Sequence, residues 1–374
     1  MPTSDLDVAR VVSKEDLDLF VEFPYAHYRG DPNFVPPLRY DVRLRLDAKR
    51  HPYFRFSEAA LFLARRRGVV VGRIAATVNT RHNEYHAERT GFFGFFECVR
   101  EFEPARALFD AAGTWLKGKG METMRGPASF STNDECGLLV DGFDGPPVVM
   151  MPYNPPWYAD LVEAAGFRPA MDLFAWKMSA ETADLARWAR VAARVAERDG
   201  LSVRSLDMRR FDRELRIIQD LYADAWSTNW GFVPMTDAEF DFMGRQLKPV
   251  VIPEYCVFLM KDGKEAGFAL ALPDLNRVIK DLDGRLLPFG WLKLLLRRRR
   301  IDFARILTLG VRRDFHGRGY DGILYHELTA ALGRGGVFEG EMSWVLATNE
   351  AMNNAMRRAG GRVYRTYRLY DVAL

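Results

Sequence analysis

Cysteine and histidine are scarce in this chain of 374 residues, which has three of the former and six of the latter. The cysteines, Cys98, Cys136 and Cys256, are odd in number and far apart, so we expect neither a disulfide scaffold nor a zinc cluster. The histidines show no metal-ligand spacing, and we expect no bound metal. This usage is typical of reduced thiols in a cytoplasmic protein.

Long apolar runs and an excess of one charge are also absent. No stretch approaches the about 20 apolar residues of a membrane-spanning helix, and the start of the chain, MPTSDLDVARVVSKEDLDLF, is acidic where a secretory signal is basic. Because 53 Lys and Arg stand against 50 Asp and Glu, no nucleic-acid partner is expected. We expect a cytoplasmic protein that contacts the cytoplasmic membrane face at most peripherally.

Apolar residues, at 48% of the chain, suffice for two hydrophobic cores. A weak internal repeat indicates two copies of one fold. EAALFLARRRGVVVGRIAATVN (58–79) matches EYCVFLMKDGKEAGFALALPDLN (254–276), and NPPWYADLVEAAGF (154–167) matches NEAMNNAMRRAGG (349–361). The offset between matched positions stays at 194 to 196 residues, as expected of a duplication.

Hydrophobic periodicity predicts a mixed α/β fold. In the second copy it predicts helices at 214–226, 237–247, 322–334 and 349–361, and strands at 255–261, 266–272, 305–311, 342–348 and 362–374. The dipeptide Asp262-Gly263 favours a tight hairpin between the first two of these strands. The first copy repeats the later part of the same order.

A polar helix rich in Ala and Arg is predicted at 181–200, and it ends at a glycine suited to a helix C-cap. We therefore expect an N-terminal domain at 1–180, a linker helix, and a C-terminal domain at 201–374. An insertion at 281–303 interrupts only the second copy.

A glycine-containing loop joins a strand to a helix in VRRDFHGRGYDGILYHEL (311–328). With the order of elements, it resembles the GCN5-related N-acetyltransferase (GNAT) superfamily, in which backbone N–H groups of such a loop bind the pyrophosphate of coenzyme A. The resemblance implies two GNAT-like domains in tandem, each a mostly antiparallel mixed sheet flanked by helices. The cofactor-binding residues that it implies are Val311, His316, Gly317, Arg318, Gly319, Tyr320 and Asn349.

Two loop positions depart from the family pattern, His316 at the first and Asp321 at the last. An aspartate beside phosphates opposes strong binding of free coenzyme A. The alternative interpretation is that Gly317 and Gly319 only form a tight turn. The first copy has no such loop, since its strand continues into a helix through Pro104, and we expect it to lack a cofactor site.

A closer resemblance covers most of the chain. The segments at 91–98, 126–167, 172–176 and 225–236 are similar to the large tandem acyltransferases that include the bacterial ceramide synthases. This resemblance implies N-acylation of a long-chain sphingoid base, such as 3-ketosphinganine or sphinganine, by a fatty acyl thioester. The co-substrate would be acyl-CoA or acyl carrier protein, with no tightly bound cofactor.

The insertion combines apolar and basic residues, since residues 286–296 include six leucines, Phe289 and Trp291 beside the run Arg297 to Arg300. This composition suits the surface of an inner membrane, where leucines enter the acyl boundary and each arginine contributes ~1 kcal/mol. A core helix with solvated arginines is the alternative, and the arginines could instead hold an acidic acyl carrier protein.

Direct attack of an amine on a thioester requires a group that accepts the amine proton. Glu97 occupies the strand where the resemblance implies a base, but it lies in the copy without the loop, so it could act only if the copies share one cleft. The central strand of the second copy offers Thr308 and no carboxylate, which makes Asp274 the second candidate. The tyrosine that often serves as the acid in the family is replaced by Met356.

A long-chain base requires an aromatic wall and a polar group for its oxygen. Trp226, Asn229, Trp230 and Phe232 satisfy this requirement in the connection that forms acceptor sites in such folds, and Tyr153 and Tyr158 are further candidates. Core packing or capping is the alternative role for each of these residues.

Two other functions remain open at this point. The chain could transfer an acyl group to a small soluble amine, which would leave the insertion without a purpose. It could also be a non-catalytic protein that binds an acyl thioester or a lipid, because the loop departs from the family pattern.

Overall fold

The computed structural model describes residues 5–374, without the side chain of Arg299. The strands are β1 (Leu6–Arg10), β2 (Ser57–Arg66), β3 (Val69–Asn79), β4 (Thr90–Cys98), β5 (Thr123–Gly126), β6 (Leu138–Asp141), β7 (Arg168–Ser179), β8 (Leu201–Ser205), β9 (Cys256–Lys261), β10 (Lys264–Pro273), β11 (Phe303–Val311), β12 (Glu339–Leu346) and β13 (Arg362–Ala373). The helices are α1 (Lys14–His27), α2 (Arg39–Leu46), α3 (Thr80–His86), α4 (Phe102–Gly118), α5 (Tyr158–Ala164), α6 (Leu185–Asp199), α7 (Phe211–Trp226), α8 (Asp237–Leu247), α9 (Asn276–Ile279), α10 (Gly290–Arg297), α11 (Tyr320–Arg334) and α12 (Glu350–Arg358). The predicted mixed α/β fold is confirmed.

The chain divides into two compact units. Unit 1 comprises the described residues up to Leu173, together with Ile279–Leu286 and Arg365–Leu374. Unit 2 comprises Phe174–Val278 and Leu287–Tyr364. Each unit has its own buried core.

Each unit is completed by a strand segment from the other half of the chain. The part of β13 that belongs to unit 1 pairs with β5 in antiparallel register, from Tyr370 opposite Gly126. The part of β7 at 174–179 belongs to unit 2, and its Trp176 and Met178 lie in the core of that unit. The unit boundaries therefore differ from those expected at residues 180 and 200.

The sheet of unit 1 has the strand order β1-β2-β3-β4-β5-β13, and β6 also pairs with β13. Its neighbours are antiparallel except β4 and β5, which are parallel. Helix α4 covers one face because Leu108, Ala112 and Leu116 recur at helical spacing and are fully buried. The polar side of this helix faces solvent.

The sheet of unit 2 has the order β12-β11-β10-β9-β8, with β7 beside β12. The pairs β8–β9, β9–β10 and β10–β11 are antiparallel, and β11–β12 is parallel. The predicted hairpin is confirmed: Asp262 and Gly263 connect β9 to β10 with φ values of 49° and 76°. Positive φ at both turn positions matches the twist of the flanking strands. Sequence reasoning missed β8, which is short and mostly polar.

Helix α6 confirms the helix predicted at 181–200, and Gly200 caps it with φ 63°. It is not isolated between the units, however, since it packs along α11 inside unit 2. The rings of Trp188 and Tyr325 lie 5.1 Å apart between these helices. The helix that the sequence assigned to a linker therefore contributes Ala192 to the core of unit 2.

The insertion is divided between the units. Ile279–Leu286 belongs to unit 1, where the N–H of Arg39 donates to the carbonyl of Gly284 at 3.1 Å. Helix α10 belongs to unit 2 and contains no buried residue, which excludes the core-helix interpretation. Within residues 5–374, no helix is both long and apolar enough to cross a membrane.

Candidate functional site

The two parallel strands of unit 2 separate after a short paired segment. β11 and β12 are in register only from Phe303 opposite Glu339 to Ile306 opposite Met342, although both strands continue further. A shift in the pairing with β10 leaves Leu307 as an extra residue at the point of separation. Such a bulge bends a strand away from its neighbour. We call the opening between β11 and β12 the fork of unit 2.

The glycine loop follows β11 directly and ends at α11. Gly317 and Gly319 have φ values of 76° and 83°, a region that residues with a Cβ rarely enter. Gly319 is the N-cap of α11 and provides no side-chain cap, so the first N–H groups of the helix lack that partner. A helix start of this kind, exposed and preceded by glycine, is suited to bind a phosphate.

Side chains of the loop stabilise its shape. His316 Nε2 lies 2.9 Å from the carbonyl oxygen of Val311 and donates to it, since a carbonyl only accepts. Tyr320 is buried, and its ring stacks on Phe315 with the centroids 5.4 Å apart. The N–H groups of His316 and Arg318 donate to the carbonyls of Arg313 and Phe315 at 3.0 and 3.4 Å. The N–H groups at the start of α11 and the exposed side chain of Arg318 are the groups suited to an anion. Of the predicted cofactor-binding side chains, His316 and Tyr320 therefore act within the protein.

Asn349 lies at the start of α12. Its Oδ1 accepts a hydrogen bond from the N–H of Met352 at 3.1 Å, which is the usual role of asparagine at a helix N-cap. A contact between Asn349 and a cofactor stays a prediction.

One hydroxyl in the fork of unit 2 has no partner. Thr308 follows the bulge in β11 and lies opposite Leu270 of β10. Its Oγ1 is buried and makes no hydrogen bond with any residue from 5 to 374. A buried hydroxyl without a partner costs free energy, and such exceptions mark bound water, strain or a catalytic group. The hydroxyl of Thr308 is therefore an unsatisfied donor and acceptor within the described residues.

An indole ring lies beside this strand. Trp226, the last residue of α7, packs over Gly310, where a Cβ would stand 2.3 Å from the ring. Its ring centroid lies 6.1 Å from that of Phe268 on β10. Because Thr308 and Gly310 alternate along β11, they share one face of the sheet. The free hydroxyl and the indole are thus on the same side of unit 2.

The other predicted acceptor residues follow Trp226 in a turn. The N–H of Asn229 donates to the carbonyl of Trp226 at 2.9 Å, and the N–H of Phe232 donates to that of Asn229 at 3.1 Å. Phe232 is buried with its ring 5.5 Å from that of Tyr222. Asn229 and Trp230 are half-buried. Phe232 thus belongs to the core, whereas Asn229 and Trp230 retain accessible surface.

Asp274 lies at the other end of β11 from the glycine loop. Its N–H donates to the carbonyl of Phe303 at 2.9 Å, whereas the loop follows Val311, about 26 Å further along the strand. The carboxylate accepts a hydrogen bond from the N–H of Asn276 at 3.3 Å and lies 3.6 Å from Arg277 Nε. These contacts stabilise the turn after β10 and place Asp274 away from the loop.

A buried carboxylate that sequence reasoning did not identify lies where the fork begins. Glu341 is fully buried and stands opposite Arg305 in parallel register. It accepts hydrogen bonds from Ser343 Oγ and Tyr364 OH, and Arg305 Nε donates to Ser343 Oγ at 2.9 Å. The available signal was a pair of charges inside apolar strands, but the predicted strand began at residue 342 and excluded Glu341.

Unit 1 has the same separation of its parallel strands, but a chain segment fills it. β4 and β5 pair over only three positions. Beyond them, the N–H of Ala128 donates to the carbonyl of Phe93 at 2.7 Å. A Cβ on Gly94 would stand 2.1 Å from the carbonyl oxygen of Ala128. Residues 127–130 therefore occupy the opening of unit 1.

Phe130 anchors this segment. Its side chain is fully buried, and its ring stacks on Tyr53 with the centroids 4.9 Å apart. The ring of Phe95, at the bulge of β4, lies 5.4 Å away. Backbone and a buried ring therefore fill the opening between β4 and β5.

Glu97 lies beyond the bulge of β4 in a buried polar cluster of unit 1. Its Oε2 accepts hydrogen bonds from the hydroxyls of Tyr28 at 2.6 Å and Tyr158 at 2.8 Å. Its Oε1 lies 3.9 Å from Nη2 of Arg73, the residue opposite it on β3. The hydroxyl of Tyr158 also accepts from the N–H of Cys98 at 2.8 Å. The structure thus brings together two predicted site residues, Glu97 and Tyr158.

Burial controls the protonation of this cluster. It raises the pKa of Glu97, although Arg73 and the two hydroxyls favour the charged form. Burial lowers the pKa of His27 to about 4, so its imidazole is neutral at pH 7. His27 Nε2 lies 3.0 Å from the hydroxyl of Tyr158. Since that hydroxyl donates to Glu97, the imidazole N–H donates to it, and a chain of hydrogen bonds leads from His27 to Glu97.

Tyr153 lies at the margin of the cluster. Its hydroxyl donates to Asp31 Oδ2 at 2.7 Å, and its ring centroid is 5.7 Å from that of Tyr28. Burial raises the pKa of Tyr153. This tyrosine therefore contacts the cluster through an aromatic neighbour and not through Glu97 itself.

Comparison with known sequences gives two relatives of nearly equal length. The chain is 37% identical over 372 residues to Protein YghO of Escherichia coli (strain K12), covering 97% of this chain and 94% of that protein. It is 37% identical over 381 residues to the bacterial ceramide synthase of Caulobacter vibrioides (strain NA1000 / CB15N), covering 99% and 98%. No family model matches the chain.

Comparison with solved structures concerns the fold alone. A tandem GNAT protein from the clavulanic acid biosynthesis pathway superposes with a TM-score of 0.57 at 12% identity, covering 98% of each chain. A GCN5-related N-acetyltransferase from Sphaerobacter thermophilus gives a TM-score of 0.54 at 14% identity, covering 99% of this chain and 96% of that one. The predicted tandem GNAT fold is confirmed.

Proposed function

Because the chain belongs to the family of tandem GNAT-fold N-acyltransferases that includes the bacterial ceramide synthase of Caulobacter vibrioides, we propose that it acylates the amine of a long-chain sphingoid base. GNAT acetyltransferases use an acyl-CoA as co-substrate. The donor proposed for this chain is a fatty acyl thioester, and the acceptor is a base such as 3-ketosphinganine.

The observation that carries the proposal is the combination of fork and glycine loop in unit 2. The extra residue Leu307 separates β11 from β12, and Gly319 leaves the start of α11 without a side-chain cap. A thioester with a phosphate at its far end requires both features, an opening for the arm and N–H groups for the phosphate. Unit 1 lacks both within its described residues, so we assign the donor to unit 2.

The reaction requires no covalent intermediate with the enzyme. The amine nitrogen attacks the thioester carbonyl, the new C–N bond forms as the C–S bond breaks, and the thiolate leaves. Donors that favour the developing oxyanion accelerate this step. The unpartnered hydroxyl of Thr308 lies in the fork, and we assign it a hydrogen bond to the donor.

The acceptor is assigned to the face of unit 2 that carries Trp226. The indole lies over Gly310 and remains half-buried, as do Asn229 and Trp230. An alkyl chain packs well on such rings, and an amide can bond the oxygen of the base. Phe232 supports this wall from the core.

Glu97 stays the candidate that the resemblance implies for the group that takes the amine proton. Burial raises the pKa of Glu97, and its hydrogen bonds with Tyr28 and Tyr158 orient the carboxylate, as expected of a general base. Asp274 is less suited, because its carboxylate is held by the turn after β10.

The insertion is proposed to contact the cytoplasmic membrane face, where a lipid substrate would be found. Leu287, Phe289 and Leu296 have exposed fractions of 77%, 74% and 67%. The arginine run begins at Arg297, directly after them. Exposed apolar side chains beside a basic cluster suit the interface of an anionic bilayer.

The test is an assay of the purified full chain with palmitoyl-CoA or palmitoyl-loaded acyl carrier protein and 3-ketosphinganine, read by mass spectrometry. We expect an N-palmitoyl product. Sphinganine and a short soluble amine are assayed in parallel. Acylation of the short amine alone would replace the proposal by the small-amine alternative, and absence of any product would favour a binding protein.

A further inference from the structure

Helix α6 carries arginines in a row along one face. Arg187, Arg190, Arg194 and Arg198 are three, four and four residues apart, which places them on one side of an α-helix. The row is roughly 16 Å long, given the rise of a helix per residue. All four residues are exposed. We call them the arginine row.

Most of the arginine row is not neutralised within the protein. Among residues 5–374, the side chains of Arg187, Arg190 and Arg194 have no ion pair or hydrogen bond, whereas Arg198 lies 2.6 Å from Asp199. Like charges at these spacings repel and destabilise a helix. A row of this kind is therefore expected to have a function that offsets its cost.

The row begins at the glycine loop of unit 2. Arg198 Nη2 donates to the carbonyl of Arg318 at 3.3 Å, and Val195 Cγ2 lies 3.8 Å from the point where a Cβ on Gly319 would stand. Helix α6 also packs along α11. The row therefore extends the positive charge of the phosphate site along the surface of unit 2, away from the loop.

We propose that the arginine row docks the acidic surface of an acyl carrier protein, whose phosphopantetheine-bound thioester enters unit 2 at the loop. This inference rests on the proposed acyl transfer and names the partner that delivers the donor. The length of the row exceeds what a pyrophosphate at the loop can contact. Asp321 is exposed in the first turn of α11, and its carboxylate repels a nearby phosphate. The repulsion is larger for the pyrophosphate of coenzyme A than for the single phosphate of a carrier-bound phosphopantetheine arm.

The test measures binding of palmitoyl-loaded acyl carrier protein, fluorescently labelled, to the full chain at increasing salt. The row variant is Arg187→Gln/Arg190→Gln/Arg194→Gln, which changes exposed side chains outside the core. We expect the row variant to bind at least about tenfold more weakly, and the parent to lose affinity as salt rises. Equal affinities for parent and row variant would overturn the proposal.

A matched control removes the same charge elsewhere in unit 2. Arg209→Gln/Arg213→Gln/Arg245→Gln alters three exposed arginines that lie outside α6. We expect the control variant to keep the affinity of the parent within about twofold, since screened charges at a distance contribute little. An equal loss in both variants would show a general charge effect and defeat the docking surface.

A second measurement separates this inference from the proposed function. In the transfer assay, the row variant is expected to raise the KM for palmitoyl-loaded carrier protein and to leave the KM for palmitoyl-CoA unchanged. A parallel rise for both donors would assign the row to a phosphate of coenzyme A and overturn the docking surface. If neither donor supports transfer while the binding difference persists, docking stands and the proposed reaction fails.

Discussion

Units 1 and 2 share one arrangement of strands and differ in what occupies the opening between their parallel strands. Each has a bulge in its central strand, and each loses the pairing of its parallel strands after a few residues. In unit 1 the segment 127–130 fills the opening, whereas in unit 2 residues 307–309 stay partly exposed. A duplicated fold can thus keep its backbone distortion while only one copy keeps a site.

The units also differ in where they bury charge. Unit 1 encloses Glu97 among tyrosine hydroxyls and Arg73, beyond the bulge. Unit 2 encloses Glu341 and Arg305 before the separation of the strands, and carries an unpartnered hydroxyl, Thr308, beyond it. Beyond the bulge, Glu97 of unit 1 has hydrogen-bond partners, whereas the hydroxyl of Thr308 in unit 2 has none among the described residues. This difference indicates different roles for the two copies.

The largest expected effect is loss of transfer in Gly319→Glu. The new carboxylate would stand at the N-cap of α11 and repel a phosphate there. Gly336→Glu is the control, because Gly336 also has positive φ, 82°, and open surroundings. Both changes carry similar backbone strain, about 1 kcal/mol. Full activity in Gly319→Glu, measured by product formation, would contradict the assignment of the donor to unit 2.

Glu97→Gln is expected to lower turnover about 10²–10⁴-fold, the usual cost of losing a general base. Because burial raises the pKa of Glu97, the parent should lose kcat/KM as pH falls through that raised pKa, and the variant should lack this decline. Asp274→Asn is the matched control and should change turnover little. A fall of less than about tenfold in Glu97→Gln would leave unit 1 without a part in proton transfer.

Thr308→Val should lower kcat/KM about tenfold, the value of one hydrogen bond to substrate. It should not lower the melting temperature, because the hydroxyl has no partner to lose. Thr77→Val in unit 1 is the matched control, since Thr77 Oγ1 is also buried without a hydrogen-bond partner among the described residues. Equal kinetics in the two variants would remove Thr308 from the site.

Replacing Arg297 to Arg300 by glutamine should weaken binding to vesicles that contain an anionic phospholipid, because each arginine contributes ~1 kcal/mol near such a surface. The KM for a long-chain base presented in vesicles should rise, with less effect on a short soluble analogue. Cosedimentation with vesicles measures the first effect. If the parent does not bind anionic vesicles at low salt, where attraction is least screened, the membrane contact is refuted.

The smallest expected effect is a selective loss of stability of unit 1 in acid. Burial lowers the pKa of His27, His51 and His82 to about 4, and all three lie in unit 1. Between about pH 6.5 and 4 the unfolded chain binds more protons than the folded one, so stability falls as pH falls through this window. Hydrogen exchange at pH 7 and pH 5, corrected for intrinsic rates, measures the protection of each unit.

His51→Asn sharpens this comparison. His51 Nδ1 accepts a hydrogen bond from the N–H of Tyr53 at 3.3 Å, and asparagine retains an acceptor for that N–H without titrating. The variant should lose less protection between pH 7 and pH 5 than the parent does. Equal acid sensitivity of units 1 and 2 in the parent would refute the prediction.

The features that the sequence predicted correctly are those that depend on neighbours in the chain. The β9–β10 hairpin follows from Asp262 and Gly263, α6 ends at Gly200, and the glycine loop passes from β11 into α11. Turn conformations and helix caps involve residues a few positions apart, so local patterns determine them. The constant offset of 194 to 196 residues between matched segments identified the duplication, because it compares local patterns and needs no knowledge of the fold.

Long-range pairing decided the features that the sequence left open. The exchange of segments of β7 and β13 between units, the filling of the opening in unit 1 and the partners of Glu97 join residues far apart in the chain. In the sequence, Glu341 and Thr308 look like any other strand residues. Their positions at the fork of unit 2 follow only from the separation of β11 and β12. By itself the sequence determined the order of most elements in the second copy. Tertiary packing decided which opening is filled and which carboxylate is enclosed, because burial and hydrogen bonding depend on neighbours that only folding brings together.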